Sequence, residues 1–317
     1  MAKISMGIAS SHGPSIQNPV EHWQTYAEKD ARDTRFDYAA LLKRAPPGLE
    51  KEIALSVQRD RHTAAQAALT RIAASINAAK PDVIVIVTNA HMVSSTAPKP
   101  VFSILRAASF GVSEFNGGTF EDSSRSQKVT NSVMPGHPGL ANHLLRGLVE
   151  NDFDVACIDK LPDGEVLDEA FGFCYKWLFP NLQIPVVPIY LSRDLPNQPT
   201  PSRCIDFGRQ LGSLISSYEE GLKVAVIASG GLSHQIVDEE TDRFVLDCLS
   251  ERDWEKLRNL SIARLNAAPG TPETLNWLCV AAAMDPLKMD LINYLPCYRS
   301  LASTGHGVAF AEWHADD

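Results

Sequence analysis

Aliphatic runs alternate with amphipathic stretches from one end of this chain to the other. Val83-Ile84-Val85-Ile86-Val87 is the strongest strand signal, and Val224-Ala225-Val226-Ile227 is a second. Continuous runs of this kind belong to strands buried on both faces. Shorter strand signals lie at Ile4 to Ala9, Phe153 to Ile158 and Ile184 to Leu191. Between them, helical spacing of apolar residues covers Glu52 to Ala79, Pro138 to Leu148 and Pro201 to about Tyr218. The third of these is led into by Pro199 to Arg203, and the pattern continues over Asp238 to Leu249, Glu251 to Leu265 and Thr271 to Ala283, with Pro272 near the start of the last. Residues 93–135 read as loop-rich. The alternation predicts a single-domain layered α/β fold, its central sheet mostly parallel or mixed and flanked by helices. No repeat or linker divides the chain. Residues 17–50 are polar, with Trp23, Tyr26, Phe36 and Tyr38 interspersed, and read as an inserted cover over a cleft.

Composition narrows the function. The 317 residues are 44% hydrophobic and 21% charged, enough apolar material for a sizeable core. The net charge of −9 and the lack of a basic block argue against a nucleic-acid partner. No apolar run reaches membrane-spanning length, and the start has no signal-peptide pattern, so a cytoplasmic location is expected. The six cysteines are widely spaced with no Cys-x-x-Cys pair, which reads as reduced core thiols.

The candidate chemistry sits where strands end. The first strand runs into Ser10-Ser11-His12-Gly13-Pro14, and the strongest ends in Thr88-Asn89-Ala90-His91. The 224–227 strand ends in Ser229-Gly230-Gly231, followed by Ser233-His234 and the acids Asp238, Glu239, Glu240 and Asp242. Strand ends of a parallel sheet converge, so His12, His91 and the 234–240 region are placed to meet. Two histidines and a carboxylate suit non-haem Fe(II), and the same set serves catalytic zinc. Blander roles compete. Acids in a first helical turn favour the helix dipole without further purpose. His62 reads as a solvated helix residue, and His137 and His143 as capping or packing residues. Ser233-His234 lacks the second glycine of a nucleophile elbow. The glycine-rich end, Thr304 to Phe310, falls short of a dinucleotide fingerprint.

Taken together these strings resemble the class III extradiol ring-cleavage dioxygenases, of the protocatechuate 4,5-dioxygenase β-subunit type. The resemblance rests on Ser11-His12-x-Pro14, Asn89-x-His91, Gly136-His137-Pro138-x-Leu140-Ala141 and Pro201-Ser202-Arg203-Cys204. It rests most on Ser229-Gly230-Gly231-Leu232-Ser233-His234-Gln235 and on Asp238 to Arg243. It implies Fe(II) held by His12, His91 and Glu240, with His234 as acid/base and His137 near the substrate. Glu240 is preferred to Glu239 because it forms a Glu-x-Asp pattern with Asp242. The implied reaction inserts both atoms of O2 into a chelated aromatic diol and yields a ring-opened semialdehyde. A homo-oligomer, with or without a small α-type partner subunit, is expected. Two departures are present: Ala90 stands where many relatives carry Asp, and Leu161-Pro162-Asp163-Gly164 where many carry Asp-His-Gly. They open the substrate range to aminophenols and hydroxypyridones. They also keep two rivals in view, a zinc hydrolase and a non-catalytic metal-binding subunit.

Overall fold

The computed structural model describes residues 1–89, 100–114, 128–180 and 183–314. Eleven strands are found there: β1 (Lys3–Ser10), β2 (Val83–Asn89), β3 (Phe102–Leu105), β4 (Ser109–Glu114), β5 (Lys128–Pro135), β6 (Val155–Ile158), β7 (Val186–Leu191), β8 (Lys223–Ser229), β9 (His234–Ile236), β10 (Asp290–Tyr298) and β11 (Thr304–His314). Nine form one mixed sheet in the order β10-β11-β1-β8-β2-β7-β3-β6, with β9 added against β11; β4 and β5 pair separately. The centre, β1-β8-β2-β7, is parallel, so four carboxyl ends share one edge. Antiparallel β11 and β3 flank it.

Side chains of the buried strands alternate between two cores. Val83, Val85 and Val87 of β2 face one, with the helices Pro138–Glu150, Pro201–Ser217, Glu239–Glu251 and Thr274–Ala283. Ile84 and Ile86 face the other, with the helix Leu55–Ala79 and Phe171, Phe173 and Leu178. Period-two alternation of apolar residues on both faces is what a sheet covered on both sides requires. All six cysteines are free, and only Cys157 is exposed.

Two expectations change, and one stretch left without an element gains one. The stretch 93–135 carries β3, β4 and β5 in its described parts rather than loop alone. The span Glu251 to Leu265 breaks into helices Trp254–Arg258 and Ile262–Leu265, because Asp253 and Ser261 start new turns. The glycine-rich end is a strand: a Cβ on Gly305 would lie 2.1 Å from the Cys297 carbonyl oxygen, and one on Gly307 would strike Asp242 Oδ2. Glycine there marks close approach inside a sheet, not a loop.

The segment 17–50 forms the helices Trp23–Asp30, Tyr38–Arg44 and Leu49–Glu52. Its beginning is part of the core, since Trp23 is fully buried with Ile16 and Val20. Tyr38–Arg44 buries nothing.

Candidate metal centre

The site lies at the shared carboxyl edge of β1, β2, β7 and β8, where open parallel sheets bind ligands. His12 follows β1 and is 4% exposed. Its Nδ1 lies 3.0 Å from Ser229 Oγ, and that hydroxyl donates its own hydrogen to the Ala170 carbonyl at 2.8 Å. Ser229 therefore accepts from His12 Nδ1–H, and the lone pair of His12 resides on Nε2. An imidazole anchored through one nitrogen offers the other to a metal.

The lone pair faces Glu273, the last residue of a single 3-10 turn (Thr271–Glu273) at the amino end of Thr274–Ala283. Glu273 is 1% exposed and its Oε2 is 3.5 Å from His12 Nε2 and 3.8 Å from His234 Nε2. Gly231 N–H donates to Oε2 at 3.2 Å, while Arg193 Nη1 approaches Oε1 at 3.3 Å. The ligand atoms of His12, His234 and Glu273 all lie within 4.8 Å of one another.

His234 owes its place to the turn after β8. Gly230 and Gly231 have φ of +104° and +82°, and a Cβ on Gly230 would lie 2.3 Å from Glu273 Oε2. Only glycine passes so close to the carboxylate in that conformation. Trp277 Nε1 donates to the Gly230 carbonyl at 2.7 Å and Asn276 Nδ2 to that of Ser229 at 3.0 Å, which ties the turn to the helix behind Glu273. The next residue, Ser233, is clamped by Asp242, whose carboxylate accepts from Ser233 N–H at 2.9 Å, Ser233 Oγ at 2.6 Å and Tyr294 OH at 2.7 Å. Burial pushes the Asp242 carboxyl up to about 7, outweighing these hydrogen bonds.

The positions expected from sequence fare unequally. His12 and His234 come together; His91 and Ala90 lie outside the described residues. Glu240 does not join them. Its side chain is 88% exposed and pairs with Arg264 at 3.0 Å, so the carboxylate beside the histidines is Glu273 instead. Of the Glu-x-Asp pair, Asp242 is the buried member, and it holds backbone rather than a ligand position. His137 caps the helix Pro138–Glu150, accepting from Leu140 N–H at 3.0 Å, and its ring meets Tyr218. The Tyr218 carbonyl bonds Ala2 N–H, at the amino end of β1, whereas His12 follows the carboxyl end. Strand rise separates those ends by roughly 26 Å, so His137 is no neighbour of the centre.

Sequence reasoning missed Glu273 and His306. The signal for Glu273 is an acid leading into Thr274–Ala283, a helix buried on every side. A carboxylate abutting such a helix has no water to face and needs a partner. His306, 3% exposed on β11, stands opposite His234 in the strand register, with ring centroids 4.7 Å apart.

Residues 51–308 match the family model described as the catalytic LigB subunit of aromatic ring-opening dioxygenase. A gallate dioxygenase of Pseudomonas putida KT2440 is 30% identical over 161 residues, covering 47% of this chain and 46% of that enzyme. The match thus spans about half the length of that relative. The fold is shared with an uncharacterised Escherichia coli K12 protein, JW3007, at a TM-score of 0.51 and 14% identity, over 97% of this chain and 99% of that one.

Proposed function

The chain belongs to the family of the catalytic LigB subunit of aromatic ring-opening dioxygenases, and from that premise we propose an Fe(II)-dependent extradiol dioxygenase acting on a catechol-like ring. The observation that carries this reading is the buried meeting of His12, His234 and Glu273. His12 and Glu273, with His91 expected as the second imidazole, make a donor set suited to Fe(II), and His234 stands beside it. The Nε2 lone pair of His12 and the Glu273 oxygen turned toward it fit such an ion. In this reading His12, Glu273 and His91 hold the metal, and His234 is the acid/base. Fe(II) bound there would supply a point at which two ring oxygens and O2 are brought together.

The remaining work falls to the chain's own groups. Ser229 fixes the His12 tautomer, and Gly231 N–H aims one Glu273 oxygen inward. His234 Nε2, 3.8 Å from that oxygen, is placed to take a proton from a ring hydroxyl at the centre and return it later. A positioned proton-transfer group contributes roughly 10²–10⁴-fold in rate. Near-complete burial of His12 and Glu273 keeps bulk water from the reacting groups. Arg193, whose side chain is 30% exposed beside Glu273, suits an anionic ring substituent such as the carboxylate of gallate. The segment 17–50 covers the cleft in cis: with its amide turned to satisfy its partners, Gln235, next to His234, accepts from Arg35 at 2.8 and 2.9 Å. A homo-oligomer, with or without a small α-type subunit, is the expected assembly.

The presence of His234 in the cluster favours one second reading, in which it is itself a ligand. The test of the function is O2 uptake by Fe(II)-loaded protein across catechols, aminophenols and hydroxypyridones, with product spectra. Stoichiometric uptake with a ring-opened semialdehyde is expected. Hydrolytic activity of zinc-loaded protein without O2 uptake would sink the proposal.

A further inference from the structure

His306 has no part in the reading above, yet it is 3% exposed and contacted from several sides. Its ring lies against Gly13, where a Cβ would come within 3.2 Å, and it meets the His234 ring at 4.7 Å and 79°. Its Nδ1 is 3.0 Å from Ser15 Oγ and 3.5 Å from Arg299 Nη1. A guanidinium only donates, so Nδ1 is the acceptor and the ring proton resides on Nε2. Arg299 is held in turn by Asp30, with Nε and Nη2 each 3.0 Å from a carboxylate oxygen. That ion pair is buried, at 4% and 8% exposure. Ser15 is held from the same side, its carbonyl accepting from Trp23 Nε1 at 3.0 Å.

His234 needs such a neighbour. Its backbone is fixed by β9 and by Thr271 Oγ1, which accepts from its N–H at 3.1 Å. Proton transfer to a substrate demands one orientation of the His234 ring. His12 stands on one side, with centroids 6.2 Å apart, and His306 is nearer.

We propose that His306 is a positioning residue: an imidazole fixed in its Nε2–H tautomer by Arg299 and Ser15, which sets the ring plane of His234. Asp30 and Trp23, on the helix Trp23–Asp30, fix those two anchors, so the segment over the cleft takes part in orienting His234. Burial and the adjacent Arg299 cation both oppose a second proton on His306, which keeps the ring neutral. The inference rests on His234 being the acid/base, and its test separates the two claims.

In metal-free wild-type protein near neutral pH, imidazole ¹⁵N shifts should show His306 Nδ1 unprotonated and Nε2 protonated. An Nδ1–H tautomer or a cationic ring overturns the proposal whatever the protein catalyses. His306→Asn keeps an acceptor near the Nδ1 position and removes the ring edge. It should shift or broaden the His234 ring resonances and lower kcat at least about tenfold, with iron content and anaerobic substrate affinity held within about twofold. Unchanged His234 resonances, an unchanged kcat, or loss of iron together with kcat would each overturn it. Absence of O2 uptake in the wild type would instead strike the proposed function, and the resonance measurements would still judge His306.

Discussion

His12 Nε2 and Glu273 Oε2 stand 3.5 Å apart, with side chains 5% and 1% exposed, although they come from opposite ends of the chain. A buried carboxylate is costly unless paired. Glu273 receives one backbone N–H and one arginine, and it turns an oxygen toward two imidazoles. A divalent cation among them compensates the carboxylate directly, which is why the centre is read as a metal site rather than a structural ion pair.

Under the proposed Fe(II) assignment, iron content tests that geometry. Protein purified without oxygen should hold about one iron per chain, as one site implies. His12→Ala and Glu273→Ala should lose it, whereas Glu240→Ala should keep it, because Glu240 faces solvent and Arg264. Metal analysis checks this; retention of tight iron by Glu273→Ala would remove Glu273 from the ligand set.

The contrast between Glu240 and Glu273 shows what was legible in the sequence. The buried strands, the turns after them and the two histidines were written in local patterns: aliphatic runs, glycines and strand-end residues. The carboxylate was not local. Four acids after His234 offered a nearer candidate, yet helix Glu239–Glu251 turns Glu240 outward and uses Asp242 inward. Glu273 arrives from a turn brought against Gly231 by tertiary contacts, with Trp277 and Asn276 hydrogen-bonded to the β8 turn. His306 was hidden similarly, because nothing local in its glycine-flanked stretch shows the close approach to Asp242.

His234 is distinguished from a ligand by what its loss spares. His234→Ala should keep iron and still bind substrate under argon, with turnover down roughly 10²–10⁴-fold. His234→Gln should be nearly as poor, since an amide cannot cycle a proton near neutral pH. Iron assay, anaerobic titration and O2 uptake decide it, and loss of iron from His234→Ala would establish the ligand reading.

Asp242 makes stability depend on pH. Its folded-state value is raised from 3.8 to about 7, chiefly by burial. A raised carboxyl favours its protonated form in the fold, so its contribution is complete below about pH 4 and is lost as pH climbs through about 7. Asp242→Asn keeps the acceptor for Ser233 N–H without the charge. The melting temperature of wild type relative to this variant should therefore fall between about pH 4 and pH 7. A constant difference across that range would show that Asp242 is ionised in the fold at low pH.

Arg193 sets selectivity if its guanidinium receives a substrate anion. Its Nη1 contacts Glu273 at 3.3 Å, and it reaches solvent while Glu273 does not. When a cation binds at His12 and Glu273, the carboxylate shares its charge with that ion, and the arginine's demand for an anion turns outward. A ring carboxylate would meet that demand through charge-assisted hydrogen bonds worth about 1.5–3 kcal/mol, or roughly 10–150-fold in binding. Arg193→Gln should lower the ratio of kcat/KM for a carboxylated catechol over plain catechol by that factor, and Arg193→Lys should restore part of it. If Arg193 only balances Glu273, both substrates should weaken equally in Arg193→Gln and iron should bind with altered affinity. Parallel kinetics on the two substrates, with iron titration of each variant, separates these outcomes.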